Sequence, residues 1–204
     1  MYGIPDYGAF VASFLFLLFL PGPGNLALIT STTQGGIRGG LASILGLLLG
    51  DQVLMWLTVV GVAALLQSNP EFFKVLQWLG AAYLAWLGFK MLLAKAGDGA
   101  SIKMTPGRYF RETTLITLLN PKAMMFYFAF FPQFIHPEQH QGMLTFFVMA
   151  LTIAFFGFLY CLGVVYVTHT MAQRLRTQAR TAMLLQKMAG LMLVGFGLKL
   201  ALGK

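Results

Sequence analysis

Asp51 is the one carboxylate set well inside an apolar run, with Leu41 to Gly50 before it and Val53 to Leu66 after it. Placing a charge there costs about 2.5–3.5 kcal/mol on insertion scales, so such a residue is expected to hold a cation, carry a proton, or both. Lys122 is its natural counter-charge. It lies about thirteen residues from either end of its own apolar stretch, roughly 20 Å at 1.5 Å per residue and farther than a lysine side chain reaches. The competing reading is an ion pair that only clamps two helices together.

Two backbone irregularities accompany these charges. Pro21, Gly22, Pro23, Gly24 and Asn25 fall in succession inside the first apolar stretch. Two prolines remove two backbone donors, so a continuous helix is not expected, and irregular backbone at membrane depth must be satisfied by protein or line a pathway. A packed kink is the alternative. Asn120, Pro121 and Lys122 occupy the matching place in the fourth stretch. Asn is a good N-cap and Pro suits the first helical position, so a half-helix starting here would aim its positive dipole end, together with Lys122, at a carboxylate.

The elements that position these residues follow from composition. Of 204 residues, 58% are hydrophobic and only 10% charged, against roughly 25% charged in a soluble domain. Six apolar stretches run from about Asp6 to Ser31, Gly39 to Leu66, Phe72 to Leu93, Tyr109 to Ile135, Met143 to Met171 and Met183 to Leu202. At about 20 residues per span they predict an all-α integral membrane protein of six transmembrane helices, the first and fourth interrupted. Ten Lys and Arg fall on one side of this arrangement, Arg38, Lys95, Lys103, Arg108, Arg111 and Arg174 among them. Only Lys74, Lys199 and Lys204 fall on the other. The bias predicts both termini outside, in the periplasm if the membrane is a bacterial inner membrane. The net charge of +8 is thus a topology signal in loops, and no nucleic-acid partner is expected.

Internal similarity points to two copies of one unit. Leu76 to Lys95 laid over Leu185 to Lys204 gives seven identities in twenty, and a second overlay puts Gly40 on Gly142, Gly61 on Gly163 and Asp51 on Ile153. Three helices per copy forces opposite orientation, a 3+3 inverted-topology repeat. The expectation is one transporter domain over 1–204: a repeat over about 1–95, a cytoplasmic loop over about 96–108, and a repeat over about 109–204.

The remaining signals are weaker. Gly46 and Gly50 are spaced to let another helix approach, Gly80 and Gly88 offer a second small face, and a homodimer is conceivable through such faces. His136 and His140 are separated by Pro137, no thiol cluster joins them, and no metal is expected. The run from Phe126 to Phe134 reads as lipid-facing and packing surface, with Tyr127 and Gln133 available as polar contacts to a pathway. His169 reads as an interfacial residue. The single cysteine, Cys161, excludes an intramolecular disulfide and a dithiol relay. A second intramembrane aspartate, a His-Glu-x-x-His, a Gly-x-Ser-x-Gly and a phosphate-binding Gly-Lys-Ser/Thr loop are all missing, so neither enzyme activity nor a cofactor is expected.

Taken together, Pro21-Gly22-Pro23, Gly50-Asp51, Leu79-Gly80-Ala81-Ala82-Tyr83-Leu84 with Leu87-Gly88, and Asn120-Pro121-Lys122 resemble the lysine-exporter (LysE) superfamily in its homoserine/threonine-resistance (RhtB) branch. The likeness covers essentially the whole chain, with a shorter loop between the third and fourth stretches. It implies amino-acid efflux across the cytoplasmic membrane driven by proton motive force. On the residues themselves, a zwitterionic substrate would set its carboxylate near Asn120 and Lys122, or at the half-helix after Pro23. Its ammonium would meet Asp51 and the carbonyls freed at the breaks. No ionic group is left for a charged side chain, which favours neutral aliphatic amino acids, leucine first and homoserine or threonine next. Asp51 and Lys122 are the expected proton-coupling pair. A passive channel for a small solute is the alternative, and a metal-ion exporter a weaker one.

Overall fold

The structure, a computed structural model, describes residues 4, 6–19, 22–68, 102–130, 134 and 142–175, and positions 75, 78, 82, 86, 89, 93, 191, 194 and 195. Among these residues the regular structure is helical: α1 (Tyr7–Phe19), α2 (Pro23–Ser68), α3 (Tyr109–Leu118), α4 (Pro121–Phe130) and α5 (Met143–Leu175). The third apolar stretch is represented by Val75, Trp78, Ala82, Trp86, Phe89 and Leu93, all helical and exposed, and the sixth by Leu191, Val194 and Gly195. His136 and His140 lie outside the described residues.

α2 is a hairpin of two helical limbs, 23–35 and 37–68. The chain reverses at Gly36, whose φ of 61° and ψ of −156° belong to a region open essentially to glycine alone. A Cβ on Gly39 would fall on the Ser31 carbonyl, and one on Gly40 would sit 2.7 Å from the Thr32 hydroxyl. Residues eight apart in a straight helix are about 12 Å apart, so the limbs lie antiparallel and in contact. Leu28, Ile44 and Leu47 continue that contact with Cys161 and Val165 of α5. The connection expected between Ser31 and Gly39 is therefore one residue long, because Ser31, Gly39 and Gly40 leave no side chain to hold the limbs apart.

The 37–68 limb runs parallel to α3 and antiparallel to α5. Against α3, Gly46 faces Phe110 and Thr114, and Gly50 faces Thr117, while Ser43 and Thr113 share a hydrogen bond. The close helix approach expected of Gly46 and Gly50 is thus made inside the chain. Toward α5, Gln52 donates to the Ala150 carbonyl at 3.1 Å, and Trp56 packs edge-on to Phe147. The other side of the limb presents Ile37, Leu41, Leu45, Leu49, Val53 and Leu57, all exposed at steps of four. An apolar stripe on the outside of a bundle is the pattern a bilayer solvates.

A core of Phe10, Phe14, Met55, Phe126, Tyr127 and Met149 fills one end of the bundle, and Ala27, Met104 and Tyr109 close the other. Phe126 and Tyr127 are buried, at 4% and 1% exposure. They are core residues, so of the lipid-facing and packing surface expected of this run these two positions supply packing. Bulky rings at successive positions of a short half-helix cover two of its faces, and both meet the bundle here. Arg38, Lys103, Arg108 and Arg111 are exposed at the Gly36 end with His169, and Asp6 lies at the opposite end.

Candidate functional site

Each predicted break is present. α1 stops at Phe19, Gly22 is non-helical, and α2 starts at Pro23, its first turn closed by the Leu26 N–H on the Gly22 carbonyl at 3.1 Å. α3 stops at Leu118, and α4 starts at Pro121 with the Met124 N–H on the Asn120 carbonyl at 3.0 Å. Both half-helices begin on proline, where a missing N–H costs nothing. Asn120 is the expected N-cap: its side-chain oxygen accepts from the Lys122 N–H at 3.0 Å. A cap is worth about 1 kcal/mol. Asn120→Ala should therefore lower the melting temperature in detergent by about 2–4 °C, and Asn120→Ser should recover most of it.

The two breaks meet at one open cavity. Gly22, Gly24 and Asn25 line it from the first break, Asp51 from the 37–68 limb, and Asn120 and Lys122 from the second break. Phe14, Leu17, Leu18 and Leu47 give it an apolar lining. Leu47 and Asp51 are one turn apart, so one helix face supplies both an apolar and an acidic contact. Asp51 faces Lys122 and the two charges attract. They are the only ionisable carboxylate and ammonium among the described lining residues.

Other expected site residues fall elsewhere. Pro23 starts α2 but its ring is exposed and does not line the cavity; the first position of a helix points its side chain outward here while Gly24 and Asn25 turn in. Pro21 lies outside the described residues, and of Pro121 only the helical backbone is described. Asn25 also has a structural task. Its amide donates to the Leu18 carbonyl at 3.0 Å and to the Tyr160 hydroxyl at 3.2 Å, which satisfies an end carbonyl of α1 and ties the break to α5.

Sequence reasoning missed Thr117 and Tyr160. Thr117 ends the turn that precedes the second break and lines the cavity together with Tyr127. A threonine three residues before an Asn-Pro break, and a tyrosine inside the fifth apolar stretch, were the available signals. The Tyr127 hydroxyl lies beside the Asp51 carboxylate.

Residues 15–204 match the family described as LysE type translocator. The chain is 33% identical over 208 residues to the leucine efflux protein of Salmonella typhimurium, covering 98% of this chain and 96% of the relative. It is 32% identical to the leucine efflux protein of an Enterobacter species, covering 98% and 97%. An uncharacterised membrane protein of Pseudomonas aeruginosa is 35% identical, covering 98% and 96%. No solved structure matches.

Proposed function

We propose, since the chain belongs to the LysE type translocator family, that it exports leucine and related neutral amino acids across the bacterial cytoplasmic membrane by proton antiport. The observation that carries the reading is the cavity between the two helix breaks, with one acid, one base and an apolar wall. The ammonium of the substrate pairs with Asp51. Its carboxylate is held at the start of α4 by Lys122 and the dipole end. Phe14, Leu17 and Leu47 receive an aliphatic side chain, and a cationic or anionic one would lack a partner. The full-length likeness to leucine efflux proteins supports leucine as the first substrate.

Alternating access follows from a six-span 3+3 inverted repeat of one domain, with repeats over about 1–95 and 109–204. One correspondence supports it: α2 and α4 both start on a proline after a break. Proton entry to Asp51 from the outside weakens its hold on the ammonium and on Lys122, and rocking of the halves exchanges proton for substrate. In this reading the Gly36 end lies in the cytoplasm and both termini in the periplasm, an orientation that the basic residues at that end support. Gly46 and Gly50 pack within the chain and are not available to a homodimer.

The test is uptake of labelled leucine into proteoliposomes preloaded with unlabelled amino acids, one at a time, with and without a pH gradient. Preloaded leucine and other aliphatic amino acids should drive counterflow, and the gradient should increase accumulation. Uptake that only dissipates, with no counterflow, would replace the exporter by a channel.

A further inference from the structure

Hydroxyl groups inside these helices have a common habit. Ser31, Thr32, Thr58, Thr114, Thr152 and Thr170 each donate to the carbonyl four residues earlier, at 2.7–2.8 Å. That bond satisfies a hydroxyl where water is scarce. Thr117 does not make it. Its hydroxyl is buried with no hydrogen-bond partner within the protein, in a residue 3% exposed, and the Tyr127 hydroxyl, in a residue 1% exposed, has the Asp51 carboxylate beside it. Leaving a buried polar group unmade normally costs about 1–3 kcal/mol. Both residues line the same cavity as Asp51 and Lys122.

The Thr117 rotamer is set by packing. The side chain is pressed against Gly50, where a Cβ would lie 2.7 Å from the Thr117 Cβ and 2.8 Å from its Cγ2. The methyl group therefore occupies the helix contact. Tyr127 is held by its ring in the apolar core, edge-on to Phe126 at 5.5 Å, while its hydroxyl faces Asp51.

We propose that Thr117 and Tyr127 are binding residues, their two buried hydroxyls serving as the hydrogen-bond partners of the α-amino and α-carboxylate head group of the transported amino acid. The assignment rests on the amino-acid reading of the cavity and adds to it how the head group is recognised beyond the two charges. The ligand completes the bond left unmade at Thr117 and shares the Tyr127 hydroxyl with Asp51. Because the head group is common to all amino acids, the hydroxyls set affinity and leave discrimination among side chains to the apolar wall.

Thr117→Val and Tyr127→Phe remove the hydroxyls with little change of shape, and Thr58→Val removes a self-satisfied buried hydroxyl that does not line the cavity. Each protein is purified whole, and two quantities are read: the half-saturating concentration for leucine counterflow, and the melting temperature in detergent with and without leucine. Bonds to charged groups being the stronger kind, each cavity variant should raise the half-saturating concentration roughly tenfold or more. The factor should be the same for valine, isoleucine and any other amino acid transported. Leucine should also raise the melting temperature less than in the parent, a readout that serves even a variant too slow to assay. Without leucine Thr117→Val should melt at or above the parent temperature, since it has lost an unsatisfied polar group, whereas Thr58→Val should keep the parent affinity.

Leucine affinity within twofold of the parent in both cavity variants would overturn the assignment. So would affinity loss in Thr117→Val accompanied by a lower unliganded melting temperature, which would make its hydroxyl part of the fold's scaffold. A factor that changes with the substrate side chain would move them from the head group to the side-chain pocket. If the parent protein exchanges no amino acid at all, the exporter reading fails first.

Discussion

Asp51→Asn should yield a protein that still exchanges internal for external leucine but no longer responds to a pH gradient. Asp51 shares the cavity with Lys122, Thr117 and Tyr127, and its carboxylate faces the Lys122 ammonium. Asn keeps the shape and an acceptor oxygen but neither the charge nor the titrating proton. Counterflow needs only that the loaded site face each side in turn, so it survives. Accumulation driven by the gradient needs the proton, so it should fall to the level seen without a gradient. Removing one partner of this partly buried pair also leaves the other without its counter-charge. The single variant should therefore melt lower, and combining it with Lys122→Met should recover stability without restoring the pH response. Gradient-driven accumulation intact in Asp51→Asn would remove Asp51 from proton coupling. Recovery of the pH response in the double variant would do the same.

The residues that announced themselves in the sequence are those that violate a local rule. A carboxylate inside an apolar helix, two prolines with two glycines at mid-span, and an Asn-Pro-Lys triplet each conflict with an ordinary membrane helix; the last two mark where helices stop, and residues of all three line one cavity. Capping chemistry was legible because it is local: Asn120 and the Lys122 N–H are two residues apart. The remainder depends on distant partners. Asn25 reads as a ligand until Tyr160 is seen 135 positions away holding its amide. Thr117 reads like any other membrane threonine, because the bond it omits depends on how tightly Gly50 packs against its methyl group. The Gly36 reversal is hidden for a different reason. A loop is expected to need several residues, and only the near-absence of side chains at Ser31, Gly39 and Gly40 allows two limbs to touch across one.

The same close packing predicts the largest loss of folded protein. Gly46→Ala should abolish most properly folded material, whereas Gly61→Ala should be neutral or stabilising, although both exchange glycine for alanine in the same limb. Helix propensity alone favours alanine by about 1 kcal/mol, and at Gly61 nothing lies within 4 Å of the added methyl. At Gly46 the methyl would fall on the Phe110 carbonyl oxygen, with the carbonyl carbon at 3.1 Å. That neighbour is backbone in the first turn of α3 and has no rotamer to escape into. Relief requires α3 to move away from the 37–68 limb, which would break the Ser43–Thr113 bond and carry Thr117 away from the cavity it lines. Overpacking of this kind costs about 1–3 kcal/mol or more, against a total stability of about 5–15 kcal/mol. Gly50→Ala should also destabilise, since the methyl would lie 2.7 Å from the Thr117 Cβ, an atom that no side-chain torsion moves. It should cost leucine affinity as well as stability, because the shift of α3 carries the Thr117 hydroxyl with it. Monodispersity by size-exclusion chromatography and melting temperature, measured for the three variants side by side, decide the matter. A Gly46→Ala protein as stable as Gly61→Ala would mean that α3 is free to shift, and that the geometry of the second break does not depend on this contact.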